Sequence, residues 1–240
     1  PNQGIISIGN EPLADTFLCK YSKKAILRAC GAGIEAANSI MNNNYKRIFC
    51  AVRPPGHHAE TEYSNGFCFI NNIAVTAKYL IKNYKIKKIA IIDFDVHHCN
   101  GTQEIFYNEK KILCASIHQY PLFPGTGTID EKGVGNIFNI PIESGINSNK
   151  FIQIFKSKII DVVNSFKPEI ILISAGFDAH FRDPLANINL NSNDYFIITK
   201  YIVDLANKYS NGRIISFLEG GYDLLALHES IKYHISALSY

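Results

Sequence analysis

Three short runs of this 240-residue chain concentrate side chains able to do chemistry. Asp93-Phe94-Asp95-Val96-His97-His98 places a carboxylate and an imidazole two residues apart. In an extended segment positions i and i+2 point to the same side, so Asp95 and His97 can reach one ion together. Asp178, in Gly176-Phe177-Asp178-Ala179-His180, can supply a third ligand from another segment. Three protein ligands with one position left for water is the arrangement of a catalytic zinc. Two carboxylates formally neutralise a dication, so its water is acidified less than at a three-histidine site. Such a site needs a separate base, and the tandem His57-His58 after Arg53-Pro54-Pro55-Gly56 is the candidate. A histidine in that role is normally oriented by a carboxylate or amide on its other ring nitrogen. Asp93 and Asn100 flank the ligand run and suit that task. Each motif is weak alone: an isolated Asp-x-His or His-His pair is more often structural, and Gly220-Gly221 by itself reads as a turn. Cys99 reads as a buried small residue, since no base is dedicated to it.

The chain around these residues alternates regularly. Short runs rich in Ile and Val predict strands over 47–52, 88–94, 112–118, 137–141, 169–175 and 213–218. Helical patterns fall over 22–41, 71–83, 150–165, 192–210 and 224–238. The strand runs are apolar on both faces, as in Ile89-Ala90-Ile91-Ile92, which suits a parallel sheet covered on both sides. The expected fold class is α/β: a doubly wound, mostly parallel sheet flanked by helices, with the active site at the C-terminal ends of the strands. Six of the eight histidines (His57, His58, His97, His98, His118 and His180) fall at four such ends, a clustering that packing hardly explains. His228 and His234, in the last helix, read as structural. The irregular stretches 54–66 and 119–135 are long enough to read as functional loops.

Composition narrows the classes. With 47% hydrophobic residues, 24 Lys+Arg and 21 Asp+Glu, the chain reads as one soluble globular domain over 1–240. A net charge of +3 is too weak to argue for nucleic acid. No apolar run approaches the roughly 18 residues of a membrane helix, and no secretory signal is visible. The six cysteines form no C-x-x-C pair and read as reduced thiols, so the cytoplasm is the expected compartment. The first residue is Pro1, not methionine, so further residues upstream are expected.

Segments 53–58, 93–101, 116–119, 123–127, 176–178 and 219–222 together resemble the zinc-dependent histone deacetylase superfamily. The wording is closest to its class II members and their bacterial deacetylase-like and acetylpolyamine-amidohydrolase relatives, and it is collinear from about Asp15 to the C-terminus. The resemblance implies an arginase/deacetylase-like fold and a hydrolase that removes acetyl or other acyl groups from lysine side chains. Asp95, His97 and Asp178 match the zinc ligands, and His57 and His58 the tandem histidines. Asp93 matches the acidic partner of the first and Asn100 the class II partner of the second. Tyr222 matches the tyrosine that polarises the scissile carbonyl. Gly66, Phe67 and Phe123 match the narrow channel for the acyl-lysine stem, and Asp15 the rim aspartate. A monovalent cation, potassium, is implied behind the zinc, held by Asp93, Asp95, His97, the Ser116 hydroxyl and the Ile117 carbonyl.

Two departures stand out. Position 99 is Cys where the family usually has Gly; a left-handed backbone there would cost a cysteine about 1 kcal/mol or more and bring an oxidisable thiol near the site. The domain's opening strand and several rim residues are not in view, so the chain is expected to lack the N-terminal part. Acetylated lysine in a protein or peptide and acetylated polyamines are the competing substrates, with no direct nucleic-acid or membrane partner expected and the oligomeric state left open. A catalytically silent acyl-lysine-binding protein is the alternative of another class. A binuclear manganese ureohydrolase would need Asp-x-His-x-Asp and a later Asp-x-Asp, and both second-metal carboxylates are missing at Cys99 and His180.

Overall fold

Six apolar segments lie side by side in the computed structural model, which describes residues 16–240 and the backbone of Ile6–Ser7. Asp15 lies outside the described residues. Strand β1 (Ile6–Ser7) pairs antiparallel with β2 (Phe17–Leu18). The main sheet contains β3 (Arg47–Cys50), β4 (Ile89–Asp93), β5 (Ile112–Gln119), β6 (Ile137–Ile142), β7 (Ile170–Ala175) and β8 (Ile214–Leu218). Their order is β3-β8-β7-β4-β5-β6, and every pairing is parallel. Pro141 lies in β6, an edge strand, where a missing amide donor is tolerated.

Successive side chains of a strand point to opposite faces, and here both faces are covered. Ile89, Ile91, Ile112, Leu172 and Phe217 pack with Ala37 and Ile40 of α1 (Ser22–Met41) and Ile73 and Leu80 of α2 (Asn72–Tyr84). Ala90, Ile92, Leu113, Ile171 and Ile173 pack with Tyr195, Ile198 and Ile202. That second layer also holds Phe151, Phe155 and Ile159. The two-sided burial explains why the strand runs are apolar throughout instead of alternating.

All six expected strands and five expected helices form, with shifted ends. The pattern over 150–165 is a composite: α4 (Ser148–Ile154) runs through a π-helical stretch, Phe155–Ile160, into α5 (Asp161–Phe166). Before it comes a helix the pattern did not announce, α3 (Asn100–Phe106), too short to show an apolar period. The last two are α6 (Asp194–Tyr209) and α7 (Leu224–Leu238). Asn71 caps α2 and Asp223 caps α7, accepting from the amides of Ala74 and Ala226. In α7 His234 is buried between the hydroxyls of Thr199 and Ser216, but His228 is exposed, so its structural reading is corrected. Among the described residues no helix is long and apolar enough to cross a membrane.

The chain runs outward from β4 to β6, then returns with β7 on the other side of β4. The crevice of such a reversal is where parallel sheets bind ligands. Asp93 at the end of β4 is level with Ser174 of β7, so the loops that leave these strands face each other.

Candidate active site

Past β4 the chain folds so that backbone amides hold the carboxylates in place. The Asp95 amide donates to Asp93 Oδ1 (3.0 Å), and the His97 amide to Asp95 Oδ1 (2.9 Å). The Val96 amide donates to Asp178 Oδ1 (2.9 Å) and the Gly220 amide to Asp95 Oδ2 (2.7 Å). One oxygen of each carboxylate thus comes within 3.1 Å of His97 Nδ1: Asp95 Oδ1 and Asp178 Oδ2. All three side chains are buried, and their ligand atoms lie within 4.8 Å of one another. Zinc with bonds of about 2.1 Å holds its tetrahedral donors about 3.4 Å apart, so this set fits the ion with small adjustment.

The charges point the same way. Burial alone would lower the His97 pKa, but Asp178 and Asp95 outweigh it and push it up to about 10. Burial and the Asp95 charge push Asp178 up to about 7. Burial opposes ionisation of Asp95, yet the neighbouring histidines, His57 first, hold its pKa well below the usual carboxylate range. The pocket therefore favours a positive charge between the two carboxylates, such as a proton on His97 or a cation in its place. The backbone leaves no slack: a Cβ at Gly220 would lie 2.1 Å from Asp178 Oδ2, and one at Gly176 2.2 Å from Asp95 Oδ2.

His57 and His58 arrive from the loop after β3, rings 4.0 Å apart. Their loop is pinned by Glu219, whose Oε2 accepts from the amides of Gly56 (2.7 Å) and His57 (3.2 Å). His57 Nδ1 is 3.0 Å from Asp93 Oδ2, and His58 Nδ1 is 2.8 Å from Asn100 Oδ1. Asn100 Nδ2 donates to Glu60 Oε1 (2.6 Å), which fixes the amide with its oxygen toward His58. That oxygen can only accept, so His58 Nδ1 carries the proton and Nε2 keeps a free lone pair. Burial and the His57 charge hold the His58 pKa well below its ordinary value. At His57 burial is outweighed by Asp95 and Asp93, and the pKa rises to about 10. Two adjacent imidazoles are thus driven apart, one cationic and one neutral, the pattern of paired catalytic groups.

Above them stand the aromatic residues. Phe123 meets the His58 ring edge-on (5.0 Å, 84°) and lies 6.2 Å from His97. Phe67 and Tyr222 are 6.0 Å apart, and Phe67 and Phe123 are both exposed. Gly66, at φ +51, brings its backbone against the histidine: a Cβ there would lie 2.3 Å from His58 Cδ2. Phe67 itself sits at φ +65, a conformation bulky side chains rarely adopt. The Tyr222 amide donates to Asp183 Oδ2 (2.7 Å). Burial, then the charges of Asp178 and Asp95, raise the Tyr222 phenol above its ordinary value, so it stays a donor.

Only half of the strand-end histidines gather here. His98 lies between Thr126 Oγ1 and Gln103 Oε1, His118 between Ser116 Oγ and the Gly127 carbonyl, and His180 against Ser192 Oγ. They are buried, hydrogen-bonded residues, His118 within β5 itself, which corrects the expectation that packing hardly explains them. Ser116 is the register partner of Asp93, and Ile117 follows it on β5. Because His118 Nε2 donates to Gly127, its Nδ1 accepts the hydrogen bond of the Ser116 hydroxyl. Cys99 adopts φ −81, so no left-handed strain arises there. Its thiol is buried, and burial and Asp93 raise its pKa, so the expected ready oxidation does not hold either. Glu219, Glu60, Asp183, Gly176 and Gly220 shape the site without having been given roles from sequence. Glu219 alone carried a signal, a carboxylate closing an apolar strand run.

The chain matches the Histone deacetylase domain family over residues 3–238. It is 43% identical to Type-2 histone deacetylase 2 of Dictyostelium discoideum over 95% of this chain and 15% of that protein. It is 43% identical to a Probable deacetylase of Archaeoglobus fulgidus over 82% of this chain and 56% of that protein. Among solved structures, the crystal structure of the HDA15 HD domain superposes with a TM-score of 0.89 at 36% identity, over 94% of this chain and 65% of that one. The chain thus spans about half or less of these two curated relatives. A family match over nearly its whole length and a shared fold place this chain in the histone deacetylase family.

Proposed function

We propose that the chain is a zinc-dependent amidohydrolase that removes acetyl or another acyl group from acylated lysine side chains. The observation that carries this reading is a neutral His58, its Nε2 free, beside three buried donors that converge as a metal site. Zinc held by Asp95, His97 Nδ1 and Asp178 would supply a Lewis acid for the amide carbonyl and an acidified water. His97 gives up its proton to become a ligand. His58 Nε2 takes the water's proton and returns it to the leaving amine, while Asn100, held by Glu60, keeps the ring in that tautomer. His57, cationic through Asp93 and Asp95, stabilises negative charge that develops beside it. The Tyr222 hydroxyl donates to the developing oxyanion. Gly66 lets the wall close on His58, and Phe67 and Phe123 flank an apolar slot for the methylene stem. A charged amine is costly there and a neutral acyl head is not, which favours substrate over product.

A potassium ion held by Asp93, Asp95, His97, Ser116 and the Ile117 carbonyl belongs to the same reading, supported by Ser116 lying level with Asp93 on the neighbouring strand. Six free cysteines, four of them buried, suit a reducing compartment such as the cytoplasm. Acetate release from an acetyl-lysine peptide and from N-acetylputrescine by the zinc-loaded protein, with Tyr222→Phe as control, tests the proposal. Peptide cleavage lowered about 10²–10³-fold in the variant is expected. Preference for the polyamine would move the substrate to small molecules, and zinc binding without cleavage of either would leave a silent binder.

A further inference from the structure

The edge of the sheet opposite the site is strongly basic. Nearly every strand of the parallel sheet begins behind a cation. Lys46 and Arg47 open β3, Arg213 precedes β8, and Lys167 lies ahead of β7. Lys87 and Lys88 precede β4, and Lys110 and Lys111 precede β5. The sheet order sets these residues in one continuous row, although the sequence scatters them from position 46 to position 213. Five neighbouring strands at about 4.8 Å spacing make the row about 19 Å long. The six lysines are exposed. None of the eight cations lies within ion-pair distance of a carboxylate; the Lys and Arg ion pairs among the described residues are at Arg182 and Lys200. Three acids accompany the row: Glu169 and Glu109, each of which accepts a backbone amide there, and Asp204, whose charge acts on Arg47 beyond ion-pair distance. A net charge of +3 for the whole chain conceals this edge.

At its β3–β8 end the row opens into a cleft of about 500 Å³. Tyr45, 64% exposed, stands there with Lys46, Arg213 and the amides of Asn43, Asn207 and Asn211. An exposed aromatic face suits base stacking, and amides offer both donors and acceptors to a base edge. An acidic protein segment would use the cations but has no use for a stacking platform.

We propose that this edge binds single-stranded nucleic acid, its phosphates along the lysine row and a base on Tyr45. About five phosphate contacts give a log–log salt slope near −3.5, so affinity should fall about 100-fold between 50 and 200 mM salt. The test is fluorescence anisotropy of a labelled 20-nucleotide oligouridine titrated with the 240-residue chain. Binding with that slope is expected. A combined Lys87→Glu, Lys110→Glu and Lys111→Glu variant should flatten the slope by about 2 and weaken binding at least tenfold. Its hydrolytic activity should be unchanged, because the site lies at the other end of the strands. Tyr45→Ala should weaken binding several-fold and leave the slope intact. The proposal is overturned by no binding at 50 mM salt, by equal binding of the charge-reversed variant, or by polyglutamate competing equally per charge. Equal affinity for a duplex of the same length would overturn the stacking half, as would an unaffected Tyr45→Ala.

Discussion

Gly220→Ala should disable metal binding while the chain still folds. The residue does not sit in the left-handed region, so alanine meets no backbone penalty. Its methyl would lie 2.1 Å from Asp178 Oδ2 and 2.6 Å from Asp95 Oδ2. An ordinary carbon–oxygen contact needs over 3 Å, so the carboxylates must retreat by about 1 Å. Metal sites tolerate displacements of about 0.2 Å. The retreat also strains the Gly220 amide bond to Asp95 Oδ2, now 2.7 Å. Loss of such outer support typically lowers metal affinity 10–100-fold, about 1.4–2.8 kcal/mol, and direct displacement of two donors should reach at least that. Overpacking should lower the stability of the metal-free fold by about 1–3 kcal/mol. Competition with a chromophoric chelator reads zinc affinity, and a thermal melt of the metal-free protein reads folding. Zinc affinity within about threefold of the parent, in a folded variant, would refute the placement of the ion between these carboxylates.

Further outcomes follow from the same geometry. Gly31 is exposed on α1 with nothing near its missing Cβ, so Gly31→Ala should stabilise the fold by about 0.5–1 kcal/mol in a denaturant titration and leave zinc affinity alone. Tyr222→Phe should lower kcat about 10²–10³-fold with zinc stoichiometry unchanged, as loss of one oxyanion donor does, measured by acetate release. His57 and His97, raised from 6.5 to about 10, stabilise the metal-free fold fully below about pH 6.5 and lose that contribution as pH rises through about 10. The metal-free melting temperature should therefore fall across that window, and zinc, which takes the place of the His97 proton, should flatten the fall. Brief alkylation followed by mass spectrometry should label Cys19 first, since it is exposed and the Ser22 hydroxyl lowers its thiol pKa, whereas Cys50, Cys68, Cys99 and Cys114 are buried and shifted upward.

The strand ends were legible because two-sided burial writes an unbroken apolar run, and a polar residue that ends such a run is conspicuous. Asp93, Asp95, His97, Asp178 and the tandem histidines all announced themselves in this way. Asn100 and Asp93 were legible as partners because they sit beside the proposed ligands in sequence. Glu60 and Asp183 were not: each acts across 40 or 39 positions, and neither stands in a patterned run. Gly176 and Gly220 act by what they lack, and only coordinates show which atoms crowd them. His98, His118 and His180 share the strand-end positions of the histidines that gather at the candidate site, so position alone could not separate them; their hydrogen-bond partners do. The basic edge was invisible for the opposite reason, since its cations become neighbours only through the sheet order.

The central claim is that Asp95, His97 Nδ1 and Asp178 hold one zinc ion beside a neutral His58. An anomalous-difference map at the zinc edge from crystals of the zinc-loaded chain tests it most directly. The account predicts one strong peak about 2.0–2.2 Å from those three atoms, lost in an Asp178→Asn variant. A peak at the cysteines or on the surface, with none at this triad, would contradict it.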